Sequence, residues 1–104
     1  MKQWRLTGKA KRDLADIRRF TRGQWGHQKA EEYLNNIYEK IQLVSKYPSM
    51  GVDRSKSLSL GQEIRSIIYA SHVIYYAVSE MYISVVAVLH QSMVPENHLL
   101  SRLQ

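Results

Sequence analysis

Residues 27–46, HQKAEEYLNNIYEKIQLVSK, carry the strongest periodic signal in the chain. Their apolar positions are spaced alternately four and three residues apart, at Ala30, Leu34, Ile37, Ile41 and Val44. An α-helix turns about every 3.6 residues, so this spacing places all five side chains on one side of a helix. The stretch therefore predicts an amphipathic helix with one buried side, which Tyr47 and Pro48 end.

The preceding residues predict a second helix. Thr7 suits the N-cap position, and apolar residues recur after it at Ala10, Leu14 and Ile17. Gly23 suits the position just after the end of this helix, because glycine adopts the left-handed conformation that often ends helices. Since only a few residues then separate the two helices, we expect an antiparallel helical hairpin.

Strands are predicted on both sides of the hairpin. Residues 2–7, KQWRLT, read as one strand, and residues 63–70, 72–79 and 81–89 are rich in Ile, Val and Tyr. Very short connectors make the last three strands pair consecutively and antiparallel. In the final strand, strict alternation places Ala87 and Leu89 on one face and Val88 and His90 on the other. The order predicts an α+β fold, β-αα-βββ, with the hairpin packed on a small antiparallel sheet.

The length of 104 residues suits a single domain, residues 1–104. Residues 49–61, SMGVDRSKSLSLG, read as a long loop, and residues 91–104 as a tail in which Pro95 begins a short helix. The chain has no cysteine, which excludes disulfides and thiolate metal sites. We expect no secretory signal and no membrane segment, and hence a cytoplasmic protein.

The basic residues are concentrated at the start of the chain. Fifteen Lys and Arg stand against nine Asp and Glu, a net charge of +6. The first 22 residues account for an excess equal to this whole charge; their basic residues are Lys2, Arg5, Lys9, Lys11, Arg12, Arg18, Arg19 and Arg22. Such a surface suits a polyanion or an acidic protein partner. The alternative is a solvated helix face without a partner.

Few residues suggest chemistry. The four histidines do not recur at helical spacing, and no phosphate-binding or dinucleotide-binding glycine motif is present, so we expect no metal and no cofactor. Arg65 lies within an apolar strand and suits either a phosphate ligand or an ion pair with Glu63. His90 suits either acid–base catalysis or a structural hydrogen bond. Trp25 and the strand tyrosines suit either base stacking or packing.

Motifs along nearly the whole chain resemble the ParE toxins of the RelE/ParE superfamily. The first half carries W-x-L-T from Trp4, A-x-x-D-L-x-x-I from Ala10, F-T-x-x-x-W-G from Phe20 and A-x-x-Y-L from Ala30. The second half carries P-x-x-G from Pro48, S-H-V-I-Y-Y from Ser71 and V-L-H-x-x-M from Val88. Together the T-x-x-x-W-G and V-L-H-x-x-M motifs are the most specific.

The resemblance implies the toxin of a bacterial type II toxin–antitoxin system of the kind used in plasmid stabilisation. It implies growth inhibition through DNA gyrase and a hetero-oligomer with a ParD-like antitoxin, which supplies an acidic amphipathic segment. Contact with operator DNA is expected only through that complex. The candidate residues for binding the antitoxin or the target are Arg5, Lys9, Arg12, Arg18, Arg19, Arg22, Trp25, Arg65, His90 and Met93.

RelE-type relatives instead cut mRNA on the ribosome, and the resemblance offers Arg65 and His90 for that chemistry. The other residues needed for cleavage are largely missing, because Val86 and Val88 stand where a further basic residue would help and the tail has no clear catalytic tyrosine. One Arg–His pair does not supply an acid, a base and charge neutralisation together. Binding to gyrase is therefore the preferred hypothesis and ribosome-dependent cleavage the alternative. A family member kept only for antitoxin binding or autoregulation is the third.

Overall fold

The computed structural model describes residues 2–55 and 62–103. The helices are α1 (Gly8–Trp25), α2 (His27–Lys46) and α3 (Pro95–Arg102), and a 3-10 turn spans Pro48–Met50. The strands are β1 (Gln3–Leu6), β2 (Val52–Asp53), β3 (Ile64–Tyr69), β4 (His72–Val78) and β5 (Tyr82–His90). The predicted α+β order and the terminal helix from Pro95 are confirmed. The predicted loop at 49–61 was wrong in part, since it contains the end of the turn and β2; its residues 56–61 lie outside the described residues.

The five strands form one sheet in the order β1-β5-β4-β3-β2. The pairs β3–β4 and β4–β5 are antiparallel, as predicted, and β2 adds a further antiparallel pair with β3. By contrast, β1 lies parallel to β5, with Trp4 opposite Ile83. The predicted antiparallel sheet is thus a mixed sheet. The helical hairpin between β1 and the later strands carries the chain back, so β1 and β5 run in the same direction.

The helical hairpin turns on a single glycine. Thr7 caps α1 as predicted, because its hydroxyl accepts a hydrogen bond from the Ala10 backbone N–H at 3.2 Å. The predicted helix end at Gly23 was wrong: Gly23 lies inside α1, and Gly26, with φ of 93°, separates α1 from α2. A glycine suits this place because that backbone conformation is strained for other residues.

The sheet is covered on both faces. The apolar sides of α1 and α2 pack on one face, where the buried residues include Leu34, Ile37, Ile74 and Val85. The short helix α3 packs on the other face, and its Leu99 is fully buried against Tyr75 and Leu89. The second face explains why β4 and β5 are apolar on both sides.

A bulge in β5 changes the face that its last residues occupy. Tyr75 pairs with Ala87 and Tyr76 with Val85, so Val86 is an extra residue without an opposite partner. Before the bulge, Val85 belongs to the core under the hairpin; after it, Val88 belongs to that core, and Ala87 and Leu89 belong to the core under α3. The strict alternation predicted for this strand was therefore wrong beyond Val85. The bulge places His90 on the hairpin face.

Candidate functional site

A groove opens where the hairpin meets the end of the sheet. It has a volume of about 670 Å³ and lies between the last turns of α1, the first half of α2, the β3–β4 turn and the end of β5. Two of its aromatic side chains, Phe20 and Trp25, are each 68% exposed, and Met93 is also exposed. We call this the apolar groove. Soluble proteins seldom expose large apolar side chains together unless they bind a partner there.

Polar groups form the inner wall of the apolar groove. The Tyr33 hydroxyl lies 2.6 Å from His72 Nδ1, and the Asn36 amide donates to the Tyr69 hydroxyl at 2.7 Å. The His72 and His90 rings meet edge to face, with centroids 5.4 Å apart. Burial, and secondarily the charge of His90, lower the pKa of His72. The groove thus combines an apolar rim with a few oriented polar groups, the usual composition of a binding site.

The structure brings together the two motifs on which the resemblance most depends. Trp25 comes from T-x-x-x-W-G, His90 and Met93 come from V-L-H-x-x-M, and all three line the apolar groove. His90 Nδ1 lies 2.7 Å from the Ser92 hydroxyl and accepts a hydrogen bond from the Ser92 N–H at 3.1 Å, so its ring is held at the end of β5. These three candidates form one surface.

Arg65 lies elsewhere and is occupied by its own neighbours. Its guanidinium donates to Glu63 Oε2 at 2.6 Å and to the Gly51 carbonyl at 2.8 Å. The hydrogen bond to Glu63 raises the pKa of Arg65. Of the two interpretations of Arg65, the geometry matches the ion pair with Glu63.

Arg65 helps to hold the P-x-x-G segment against the sheet together with Tyr76. The buried Tyr76 hydroxyl donates to the Pro48 carbonyl at 2.7 Å and accepts from the Gly51 N–H at 3.0 Å. A side chain on Gly51 would collide with that hydroxyl and would lie 2.9 Å from the Ser66 carbonyl oxygen. The motif therefore has a structural explanation, which is the close approach of backbone and tyrosine.

The structure does not bring Arg65 and His90 together. Tyr69 pairs with His72, and His72 pairs with His90, so His90 lies two strands away from β3. Arg65 is four residues from Tyr69 along β3, which adds about 13 Å along the strand. The two residues suggested for RNA cleavage therefore do not share one site.

The basic residues of the first 22 positions separate into different environments. Arg18 pairs with Glu31 at 3.0 Å and Arg19 with Asp16 at 3.5 Å. Arg5 stacks over the Tyr82 ring at 4.7 Å, on the sheet face away from the hairpin. Arg22 is exposed in the last turn of α1. The sequence predicted one basic surface, but the structure divides it.

Two further candidates, Lys9 and Arg12, line a second and smaller groove between α1 and α3. Its volume is about 250 Å³. We call this the polar groove, because the described residues that line it are all polar: Lys9, Arg12, Asp13, Asn97, His98, Ser101 and Arg102.

An ion pair that sequence reasoning missed forms one wall of the polar groove. Arg102 donates to both carboxylate oxygens of Asp13, at 2.6 and 2.9 Å, and both side chains are largely buried. Asp13 also accepts from the Val88 N–H, and Arg102 donates to the Val86 carbonyl. The pair thus satisfies backbone groups of β5 at and just beyond the bulge, where the pairing of β1 with β5 has ended at Val85. Asp13 in the A-x-x-D-L motif was the available signal, since an acidic residue beside a buried helix side often has a partner.

Within residues 2–55 and 62–103, no group of three or more His, Asp or Glu is placed to hold a metal ion. In the same ranges no helix is long and apolar enough to cross a membrane.

Comparison with known proteins gives the family. Residues 4–95 match the family model described as ParE toxin of type II toxin-antitoxin system, parDE. The chain belongs to the ParE toxin family. Toxin ParE1 of Caulobacter vibrioides is 34% identical over 99 residues, which cover 95% of this chain and 99% of that protein. A solved structure titled as the chromosomal ParDE TA system from P. aeruginosa superposes with a TM-score of 0.71, covering 86% of this chain and 96% of that chain at 18% identity. At this identity, the structural likeness shows a shared fold only.

Proposed function

We propose that this ParE toxin inhibits DNA gyrase by binding, and that a ParD-like antitoxin neutralises it in the cytoplasm by occupying the apolar groove. The observation that carries the proposal is the convergence of Trp25, His90 and Met93 on one exposed apolar surface in a chain of this family. The hetero-oligomer with the antitoxin belongs to the same proposal.

The apolar groove suits an amphipathic segment from a partner. Phe20 and Trp25 offer two large aromatic side chains that are largely exposed. Burying such a side chain contributes about 1.5–3 kcal/mol, so these two residues supply much of the binding free energy. Lys29 lines the groove, and Arg22 follows Thr21, another lining residue. We therefore expect acidic residues of the antitoxin beside Lys29 and Arg22. Asp16 and Glu32 line it too, and we expect apolar or basic residues beside them.

Binding to gyrase is favoured over ribosome-dependent RNA cleavage by the place of Arg65. Cleavage requires an acid, a base and a cation around one phosphate. Arg65 instead holds backbone carbonyls and Glu63 at the other end of the strands from His90. The groove that His90 lines includes Lys29, Asp16 and Glu32, but it does not include Arg65, the cation that the resemblance offers for cleavage.

The test expresses the chain alone and with the gene that adjoins it. Expression alone should stop growth, purified protein should block supercoiling by gyrase, and co-expression should restore growth. Codon-positioned cuts in mRNA with normal supercoiling would replace the gyrase proposal with the cleavage alternative. If growth, supercoiling and translation all stay normal at saturating protein, the third hypothesis remains: a family member kept for antitoxin binding or autoregulation.

Trp25→Ala tests the place of the antitoxin. We expect about 30-fold weaker binding of the antitoxin, because loss of a central aromatic contact costs about 2 kcal/mol or more. Tyr47→Ala is the matched control, since Tyr47 is also a well-exposed aromatic residue but lies outside the groove. Isothermal titration calorimetry measures both. Equal affinities for the two variants would place the antitoxin elsewhere on the toxin.

A further inference from the structure

We propose that the polar groove between α1 and α3 binds the phosphodiester backbone of duplex DNA. The inference rests on the proposed function in one respect: gyrase, the proposed target, is the source of the duplex DNA. Its physical basis is separate, since it depends on residues that do not line the apolar groove.

The shape and lining of the polar groove suit a small charged group. Its volume of about 250 Å³ is below the usual size of a site for a drug-sized ligand and accommodates a group such as a phosphate. The first two turns of α1 contribute Lys9 and Arg12, and α3 contributes His98 with the Asn97 amide and the Ser101 hydroxyl. The cations of α1 thus face polar side chains of α3 across the groove, of which the Ser101 hydroxyl already donates to the His98 carbonyl at 3.2 Å.

The charge balance of the polar groove favours an anion. Asp13 is the one acidic residue among the described residues of this lining, and the two-pronged contact with Arg102 neutralises it. Among the residues that the structure describes, Lys9 and Arg12 form no ion pair. Two exposed cations therefore remain uncompensated beside a rigid ion pair, an arrangement that attracts a phosphate.

The same lining favours nucleic acid over an acidic protein segment. An amphipathic segment gains most of its affinity by burying apolar side chains, and none of the described residues that line the polar groove is apolar. Binding to a phosphodiester backbone consists of ion pairs and hydrogen bonds from Lys, Arg, Asn and Ser, which are the side-chain types present.

The test titrates a fluorescently labelled DNA duplex with the full chain over a range of salt concentrations. Lys9→Ala/Arg12→Ala should bind at least about tenfold more weakly at low salt. The slope of log affinity against log salt should fall by about 1.8, because each lost phosphate contact removes about 0.9. Both side chains are exposed, so the fold should be unchanged by circular dichroism. Lys40→Ala/Lys46→Ala removes the same charge outside both grooves and should leave affinity and slope unchanged.

Three outcomes would overturn the inference. The first is equal loss in both double variants, which indicates net charge alone. The second is a loss of polyglutamate binding with unchanged DNA binding, which indicates an acidic protein partner. The third is clearly tighter binding of an RNA duplex of equal length, which indicates RNA. A parallel supercoiling assay separates this inference from the proposed function: if the unmodified chain binds DNA through Lys9 and Arg12 but leaves gyrase active, only the gyrase proposal fails.

Discussion

The two grooves lie along the same helix and differ in size and in chemistry. The last turns of α1 contribute Phe20 and Trp25 to an apolar groove of about 670 Å³. The first turns contribute Lys9 and Arg12 to a polar groove of about 250 Å³. The first groove offers buried area to a partner, and the second offers charge. One helix therefore presents two surfaces that suit two different classes of partner.

The difference arises from what packs beside each half of α1. The first half lies near α3, whose Arg102 neutralises Asp13 and leaves the nearby cations uncompensated. The second half lies near α2 and the β3–β4 turn, where Arg18 is paired with Glu31. A count of charges treats residues 1–22 as one basic surface, although ion pairing in the fold divides them. Substitutions that affect both grooves, or one of them, test this division.

Asp13→Ala should have the largest effect. It should affect both grooves, because Asp13 joins α1 and α3 beside the polar groove to β5, whose end contributes His90 to the apolar groove. It leaves Arg102 largely buried without its partner and removes the acceptor of the Val88 N–H. Breaking such a buried pair costs about 3–5 kcal/mol in the free energy of unfolding. Asp16→Ala is the control, because its pair with Arg19 is exposed and should change stability by less than about 0.5 kcal/mol. Urea denaturation measures both, and similar midpoints would show that the Asp13–Arg102 pair does not stabilise the fold.

Sequence periodicity was sufficient to predict the helices and most of the strands. An element that is buried on one side repeats apolar residues at a fixed spacing, and this pattern is visible in the local sequence. The apolar series from Ala30 to Val44 is buried throughout. The bulge at Val86 was not predictable in this way, because the apolar residues around it suit either face of a sheet covered on both sides. The Asp13–Arg102 pair joins residues 89 positions apart, and no local pattern records such a contact.

The composition of the apolar groove was predictable only in part. Trp25, His90 and Met93 entered as candidates through the motifs of the family, and the structure places them together. Tyr33, Asn36 and His72 were not selected, because their proximity depends on how α2 crosses the β3–β4 turn. Arg65 was selected from its position in an apolar strand. Its partner Glu63 lies two residues away, close enough to be weighed from sequence.

Gly26→Ala should have the next largest effect and should disturb the apolar groove alone. Gly26 has φ of 93° and follows Trp25, so an alanine strains the backbone by about 1 kcal/mol or more and shifts the indole. Gly23→Ala should do the opposite and stabilise the chain by about 0.5–1 kcal/mol, because Gly23 is helical and its added Cβ meets no atom within 4 Å. Opposite shifts in melting temperature are expected. Shifts of the same sign would contradict the helix boundary at Gly26.

Protonation of His72, in the inner wall of the apolar groove, should have the smallest effect on stability. Burial lowers the pKa of His72 below its ordinary value of 6.5, so the unfolded chain binds this proton more readily than the folded chain. Stability should therefore be full above pH 6.5 and fall as the pH drops below that value, until the folded chain is protonated too.

His72→Gln should flatten this dependence, and His90→Gln should raise the pKa of His72 toward 6.5, because the charge of His90 contributes to lowering it. Nuclear magnetic resonance titration of the His72 ring measures the pKa directly. A pKa at or above 6.5 in the unmodified chain would mean that solvent reaches His72 freely and that the inner wall of the groove is more open than its contacts with Tyr33 and His90 indicate.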